Sequence, residues 1–171
     1  MKTIYKIAGA LAGVLLLSSC EDFLEKEPLD FLTPEYYYTD VESVNKGITG
    51  IYDALQSSAL YGQFLAFQFV GNTDIESFNR DIFGTNGRTT QMNVCAHNPD
   101  NSELYQTWTA LYDGVGRANS LIAQIPTVET TDSLKNRYLA EAKALRGLFY
   151  FHLAVNWQNV PLRTEPVTSP K

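Results

Sequence analysis

Leu17-Ser18-Ser19-Cys20 puts a thiol directly after an apolar stretch and small residues, where it can be acylated. Lys2 and Lys6 form a positive n-region, and Ile7 to Leu17 is an unbroken run of apolar and small residues. The run is too short to span a bilayer as a helix but suits a secretory h-region. This is the pattern of a bacterial lipoprotein signal, in which Cys20 is lipidated and becomes the new N-terminus. Other reactive residue types are sparse. His97 and His152 are the two histidines and lie far apart, and His152 falls in an apolar helical pattern, the setting of a core histidine. Asp74-Ile75-Glu76 would place two carboxylates on one face of an extended segment, with nothing nearby to complete an acid/base pair. No metal-ligand spacing, nucleophile elbow or phosphate loop occurs, so the expectation is no catalytic site, no metal and no cofactor.

Residues 1–19 leave with the signal, and about one domain's worth of chain remains. Apolar content of 44% supports a true core, and the net charge of −6 becomes −8 without Lys2 and Lys6. An acidic chain argues against nucleic acid and against attraction to anionic headgroups, so membrane affinity rests on the lipid anchor only. With Cys20 carrying lipid, Cys95 has no disulfide partner and reads as a buried, inert thiol.

The elements that must position any site are helical. Residues 20–38 read as an extended N-terminal arm around Pro28, and residues 39–171 as a helical domain. Thr39-Asp40-Val41-Glu42 is a capping-box pattern with Thr39 as the cap. Val41, Val44, Ile48, Ile51 and Leu55 follow as one helical stripe ending near Ser57, with Gly47 and Gly50 placed for close approach of a neighbouring helix. Residues 59–101 lose the period and read as irregular, loop-rich structure with short strands at most. A second stripe runs Leu104, Trp108, Leu111, Val115, Ala118, Ile122, Ile125 from a start at Ser102, and Pro126 stops it. A third carries Leu134, Tyr138, Ala142, Leu145, Phe149 and Leu153. Two long helices on a short turn make an antiparallel hairpin, with Gly114, Gly116 and Ala118 expected to face Ala140, Ala142 and Ala144. The predicted fold class is mainly α, with repeat-type helical hairpins. Residues 163–171 contain no closing element, so the chain reads as the front part of a larger protein.

Four blocks carry a family resemblance. Cys20-Glu-Asp-Phe-Leu-Glu-Lys-Glu-Pro28 resembles the opening of the SusD/RagB family of Bacteroidetes outer-membrane lipoproteins, and so does Gly50-Ile-Tyr-Asp-Ala-Leu55. Trp108-x3-Tyr112 followed by Arg117-Ala-Asn119 is similar to that family's W-x3-Y…A-N helix. Ala140-Glu-Ala-Lys-Ala-Leu-Arg-Gly-Leu-Phe-Tyr-Phe151, continuing through Asn156-Trp157 to Val160-Pro-Leu162, is similar to its A-E-A-x-x-L-R-A-x-x-Y-F…W-G-x-V-P-L signature. Gly147 stands for the usual alanine, and Gln158-Asn159 replaces the glycine turn.

The resemblance implies tetratricopeptide-like units beside an irregular ligand-binding part, and a non-enzymatic role. That role is capture of glycan or another nutrient at the cell surface for a SusC-like TonB-dependent transporter, from the outer membrane and facing the exterior. Glu21 and Asp22 resemble the surface-export signal. Asp132-Ser133-Leu134 resembles a Bacteroidetes O-glycosylation triplet, for which a helix N-cap is a sufficient account. Glu141 and Arg146 are expected to bond another helix or a loop backbone, Trp108, Tyr112 and Tyr150 to pack, Trp157 to plug a helix end before Pro161, and Asn119 to bond neighbouring backbone. Sugars are held by aromatic faces, planar amides and charges. Phe67, Phe69, Asn72, Asp74, Phe78, Asn79 and Arg80 in the loop-rich segment supply those types. The competing reading is a helical-repeat envelope lipoprotein that binds peptide or protein in a concave groove, acting in assembly or adhesion.

Overall fold

A computed structural model of the chain describes residues 33–66, 73 and 98–167, and all of these lie in the unit that begins at Thr33. The described residues are helical: α1 (Pro34–Tyr37), α2 (Val41–Leu55), α3 (Ser102–Gln124) extended by a 3-10 turn (Ile125–Thr127), and α4 (Asp132–Trp157). The mainly α expectation is met. The arm expected to run extended to residue 38 instead closes with α1, because Pro34 pre-sets the first helical φ. Tyr38 then packs over Gly47, where an added Cβ would lie 2.7 Å from the ring and 3.0 Å from Leu121 on α3. Gly47 is therefore a close approach, as expected. Gly50 is not, since a methyl there would meet nothing within 4 Å.

Asp40, not Thr39, caps α2. Its carboxylate accepts the Ser43 N–H at 2.7 Å, and the Ser43 hydroxyl oxygen lies 3.2 Å from the Asp40 N–H in return. Two overlapping cap patterns compete here, and an ionised acceptor makes the stronger bond to a free helix N–H. These bonds hold the Asp40 carboxyl below the usual carboxylate range. Glu42, released from the cap, pairs with Lys46 one turn on at 2.8 Å. Both ends are exposed, so solvent screens the pair and its contribution is small.

Asn101 caps α3 by accepting from the Glu103 and Leu104 N–H groups, which fixes the predicted start at Ser102. Thr131 caps α4 by accepting from Leu134, so Asp132 and Ser133 lie in the first turn and do not supply the cap oxygen. The helices pack with alternating sense. Down α3, Asn119, Gly114 and Trp108 meet Arg146, Phe149 and Trp157 rising along α4, which makes the hairpin antiparallel. Arg117 donates to the Gly50 carbonyl at 2.9 Å and Thr107 to the Ala59 carbonyl at 3.0 Å, so α2 also runs antiparallel to α3.

The core lies between the three long helices. Val44, Ile48, Ile51 and Ala54 of α2 meet Leu111, Val115, Ala118 and Leu121 of α3 and Ala142, Leu145, Phe149 and Leu153 of α4. Each fully buried Leu, Ile or Phe contributes about 1.5–3 kcal/mol relative to exposure. Ala118 and Ala142 are buried as expected, but Ala140 and Ala144 are exposed and Gly116 has open space around it. Gly114 instead receives the Phe149 ring, a knob too large for any side chain to share the site. Towards its end α4 is apolar on a face that stays exposed, with Phe151 at 56% and Val155 at 55%.

Candidate functional site

Residues 158–167 turn back after α4 and lie against the hairpin, held by the side chains that the sequence signature singles out. Tyr112 donates its hydroxyl to the Pro161 carbonyl at 2.8 Å. Tyr150 donates to the Arg163 carbonyl at 2.8 Å and accepts the Arg163 N–H at 2.6 Å. Asn119, 2% exposed, donates its amide to the carbonyls of Arg163 and Glu165 at 3.1 and 3.2 Å. Its oxygen accepts from Arg146 at 2.8 Å, and Arg146 also reaches the Thr164 carbonyl at 3.1 Å. Arg146 and Asn119 thus do what was expected of them, bonding another helix and neighbouring backbone. Glu141 does likewise, accepting the Tyr52 hydroxyl of α2 at 3.1 Å and thereby raising the pKa of that phenol.

The same fold builds an aromatic cleft. Tyr105, Trp108, Thr109 and Tyr112 recur at helical spacings of three and four, which puts them on one face of α3. Trp157, at the end of α4, packs edge-on against Trp108 at 5.3 Å and plugs the helix end, while Trp108 lies 4.9 Å from Tyr112. Tyr112 meets Tyr150 edge-on at 6.4 Å. Burial and the neighbouring Tyr150 raise the pKa of the Tyr112 phenol, so it stays a neutral donor to Pro161. Pro161 and Arg163 close the rim, and the guanidinium carbon of Arg163 lies 6.0 Å from the Tyr112 ring centre. The cleft has a volume of about 270 Å³. Trp108 and Tyr112 therefore pack, as expected, and also line this opening. Sequence reasoning missed Tyr105, Thr109 and Arg163. The signal that could have found the first two is their i, i+4 spacing beside the apolar stripe.

Cys20, Glu21 and Asp22 lie outside the described residues. So do the loop candidates Phe67, Phe69, Asn72, Asp74, Phe78, Asn79 and Arg80, together with Cys95 and His97. Among the described residues no group of three or more His, Cys, Asp or Glu side chains gathers to hold a metal. None of the described helices is long and apolar enough to cross a membrane. A polar hollow between α2 and α3 contains Arg117, which is engaged by Asp113 at 2.9 Å, by Asp53 at 3.7 Å and by the Gly50 carbonyl. That hollow is a structural cross-link.

His152 is a core histidine, 3% exposed, with Nε2 2.6 Å from the Tyr61 hydroxyl. Burial pushes its pKa below the ordinary 6.5. Between the folded and ordinary values the unfolded chain binds the extra proton, so this group's stabilising contribution is complete above about 6.5 and falls as pH drops from there through the folded value. Urea titrations across that window should show stability declining with acid. His152→Gln should flatten the slope, and an unchanged slope would contradict the assignment.

Residues 22–170 match a SusD-like family described as starch-binding and associating with the outer membrane. The chain belongs to the SusD-like family. Three SusD-like proteins of Formosa agariphila are similar to it. P38 is 31% identical over 91% of this chain and 29% of its own length, P25 is 28% identical over 95% and 32%, and P2 is 26% identical over 92% and 30%. The chain thus spans about 30% of the length of these curated relatives. No solved structure is a significant match.

The two departures from the SusD-like signature now have structural readings. A methyl at Gly147 would meet open space, and Gln158 has φ 61° and ψ −89°, a backbone region that glycine enters freely and a side chain does not. Gly147→Ala should stabilise the chain by up to about 1 kcal/mol through helix propensity. Gln158→Gly should stabilise it by about 1 kcal/mol through relief of backbone strain. Chemical denaturation of the single and double variants checks both, and the gains should add because Gly147 and the α4 cap residue Gln158 lie about three helical turns apart.

Proposed function

We propose that this protein is a cell-surface lipoprotein that captures oligosaccharide or another nutrient for a SusC-like TonB-dependent outer-membrane transporter, without catalysis of its own. The observation that carries this reading is the match of residues 22–170 to a family described as starch-binding and associating with the outer membrane. The Leu17-Ser18-Ser19-Cys20 signal supports it, since a lipidated Cys20 would tether the protein and Glu21-Asp22 would direct it to the outer face. On this reading residues 1–19 are the signal, residues 20–38 are the arm that tethers the protein and ends in α1, and the α3–α4 hairpin is a tetratricopeptide-like unit. Phe67, Phe69, Asn72, Asp74, Phe78, Asn79 and Arg80 are candidate ligand contacts by residue type.

Affinity electrophoresis of the full-length protein against a panel of soluble polysaccharides tests the capture role, with retardation by at least one polymer expected. Binding to peptides with no retardation by any glycan would sink it and favour the helical-repeat peptide binder. Labelling cells with a fatty-acid probe tests the anchor. The wild-type chain should take up label, Cys20→Ser should take up none, and equal labelling of the two would remove Cys20 as the acylated residue.

A further inference from the structure

The cleft beside α3 holds more recognition chemistry than the fold requires. Tyr105, the fourth residue of α3, is 69% exposed and belongs to no part of the core. Trp108 packs on the core, meets Trp157 edge-on and also lines the cleft. The Tyr112 ring is locked by its hydroxyl bond to Pro161, so the aromatic wall is formed before any ligand arrives. Pre-formed walls of this kind, with a few placed polar groups, are the usual makings of a small-molecule site.

Arg163 is the placed charge. Its backbone is fixed from three directions, by the Tyr150 phenol on both its N–H and carbonyl and by the Asn119 amide. Its guanidinium joins no ion pair among the described residues, a state it shares with Lys135, Arg137, Lys143 and Arg146; what sets it apart is its place beside the aromatic wall. The backbone that carries this cation is therefore fixed at the rim of an aromatic cleft, with the guanidinium carbon 6.0 Å from the Tyr112 ring centre, in a chain whose net charge is −6. Such a chain repels polyanions in general, so a local cation is what a specific anionic ligand would need.

From these placements we infer that the cleft of Tyr105, Trp108, Tyr112 and Arg163 is a binding subsite for an acidic sugar residue, one whose pyranose carries a carboxylate or sulfate. This rests on the saccharide-binding reading above and narrows it. The apolar C–H face of the ring stacks on Tyr105 and Trp108, and the anion takes the paired N–H groups of the guanidinium. Thr109 donates its hydroxyl to the Tyr105 carbonyl at 2.9 Å, which leaves its oxygen free to accept from a sugar hydroxyl. A volume of about 270 Å³ admits a single sugar ring, with the rest of a polymer passing across the open side.

The test uses the full-length protein with starch, xylan, polygalacturonate, alginate and a sulfated galactan in affinity gels, followed by calorimetry on any polymer that retards it. An acidic polymer should bind. Carboxyl reduction should abolish binding if the anion is a carboxylate, and desulfation if it is a sulfate. Tyr105→Ala and Arg163→Gln should each weaken binding about tenfold or more. In this chain both side chains are exposed and outside the core, and thermal melting verifies that the full-length variants keep the fold. Acidic-polymer binding that survives both substitutions undiminished would overturn the cleft while leaving the capture role standing. Binding of neutral polymers alone, or loss with Tyr105→Ala but not with Arg163→Gln, would overturn the acidic class. No binding to any polymer would overturn the capture role and this subsite with it.

Discussion

Phe149→Ala is expected to remove about 3–5 kcal/mol of stability, enough to unfold a marginal domain. The ring is fully buried on α4 and lies over Gly114 of α3, so that a Cβ built on Gly114 would fall 2.4 Å from Cζ. Truncation leaves a cavity at the centre of the hairpin, walled by two helix backbones that cannot close over it. The converse change makes the same point. Gly114→Ala should cost about 1–3 kcal/mol through overpacking, despite alanine's better helix propensity. Gly147→Ala, the same change on the open face of α4, should gain. Pairing Gly114→Ala with Phe149→Leu should recover part of the loss, because the added methyl occupies space the smaller side chain gives up. Urea denaturation of the four species checks this. Strictly additive losses would mean that the two residues do not share one space.

Asn119→Leu should cost about 2–3 kcal/mol, the upper part of the range for stranding buried partners. Leucine fills a similar volume but can neither accept from Arg146 nor donate to the carbonyls of Arg163 and Glu165. The loss should be local as well as global. Hydrogen exchange at the Arg163 N–H and proteolysis within residues 158–167 should both accelerate, while α2 keeps its protection. Tyr150→Phe should show a milder form of the same pattern, since it removes one hydroxyl that serves both the N–H and the carbonyl of Arg163. Unchanged exchange in both variants would mean that the returning segment is held by something other than this set of bonds. Loosening it also displaces Arg163 from the cleft rim, so these substitutions should weaken any ligand held there without touching it.

Much of the helical frame was legible because helix formation is a local matter. The Val44-Ile48-Ile51 stripe, the start at Ser102, the stop at Pro126 and the hairpin turn follow from spacing, capping and the geometry of proline. Glu141 and Arg146 could be read as cross-links because five-residue spacing disfavours a direct pair. The cap of α2 was misread by one residue, since Thr39-x-x-Glu42 and Asp40-x-x-Ser43 overlap and only the backbone angles at Asp40 (φ −142°, ψ 174°) select between them. The expectation that Gly114, Gly116 and Ala118 face Ala140, Ala142 and Ala144 was met only in the burial of Ala118 and Ala142, because the rotation of one helix against the other decides which small residue meets which neighbour. Phe149 took the place over Gly114 that one of those three alanines was expected to hold.

The sequence by itself determined three helices, their apolar stripes and the family, because each is written in residue types at short spacings. Only the tertiary structure decided what the signature residues do. Tyr112, Asn119, Arg146 and Tyr150 bond mainly to backbone carbonyls of residues 161–165, and Asn119 reaches partners 44 and 46 positions away. Every residue carries a carbonyl, so an acceptor leaves no mark in the sequence, and a partner that distant has no period to reveal it. The cleft follows from the same cause. Tyr105 and Arg163 come together because the chain folds back along the hairpin, and side-chain bonds to anonymous backbone hold it there.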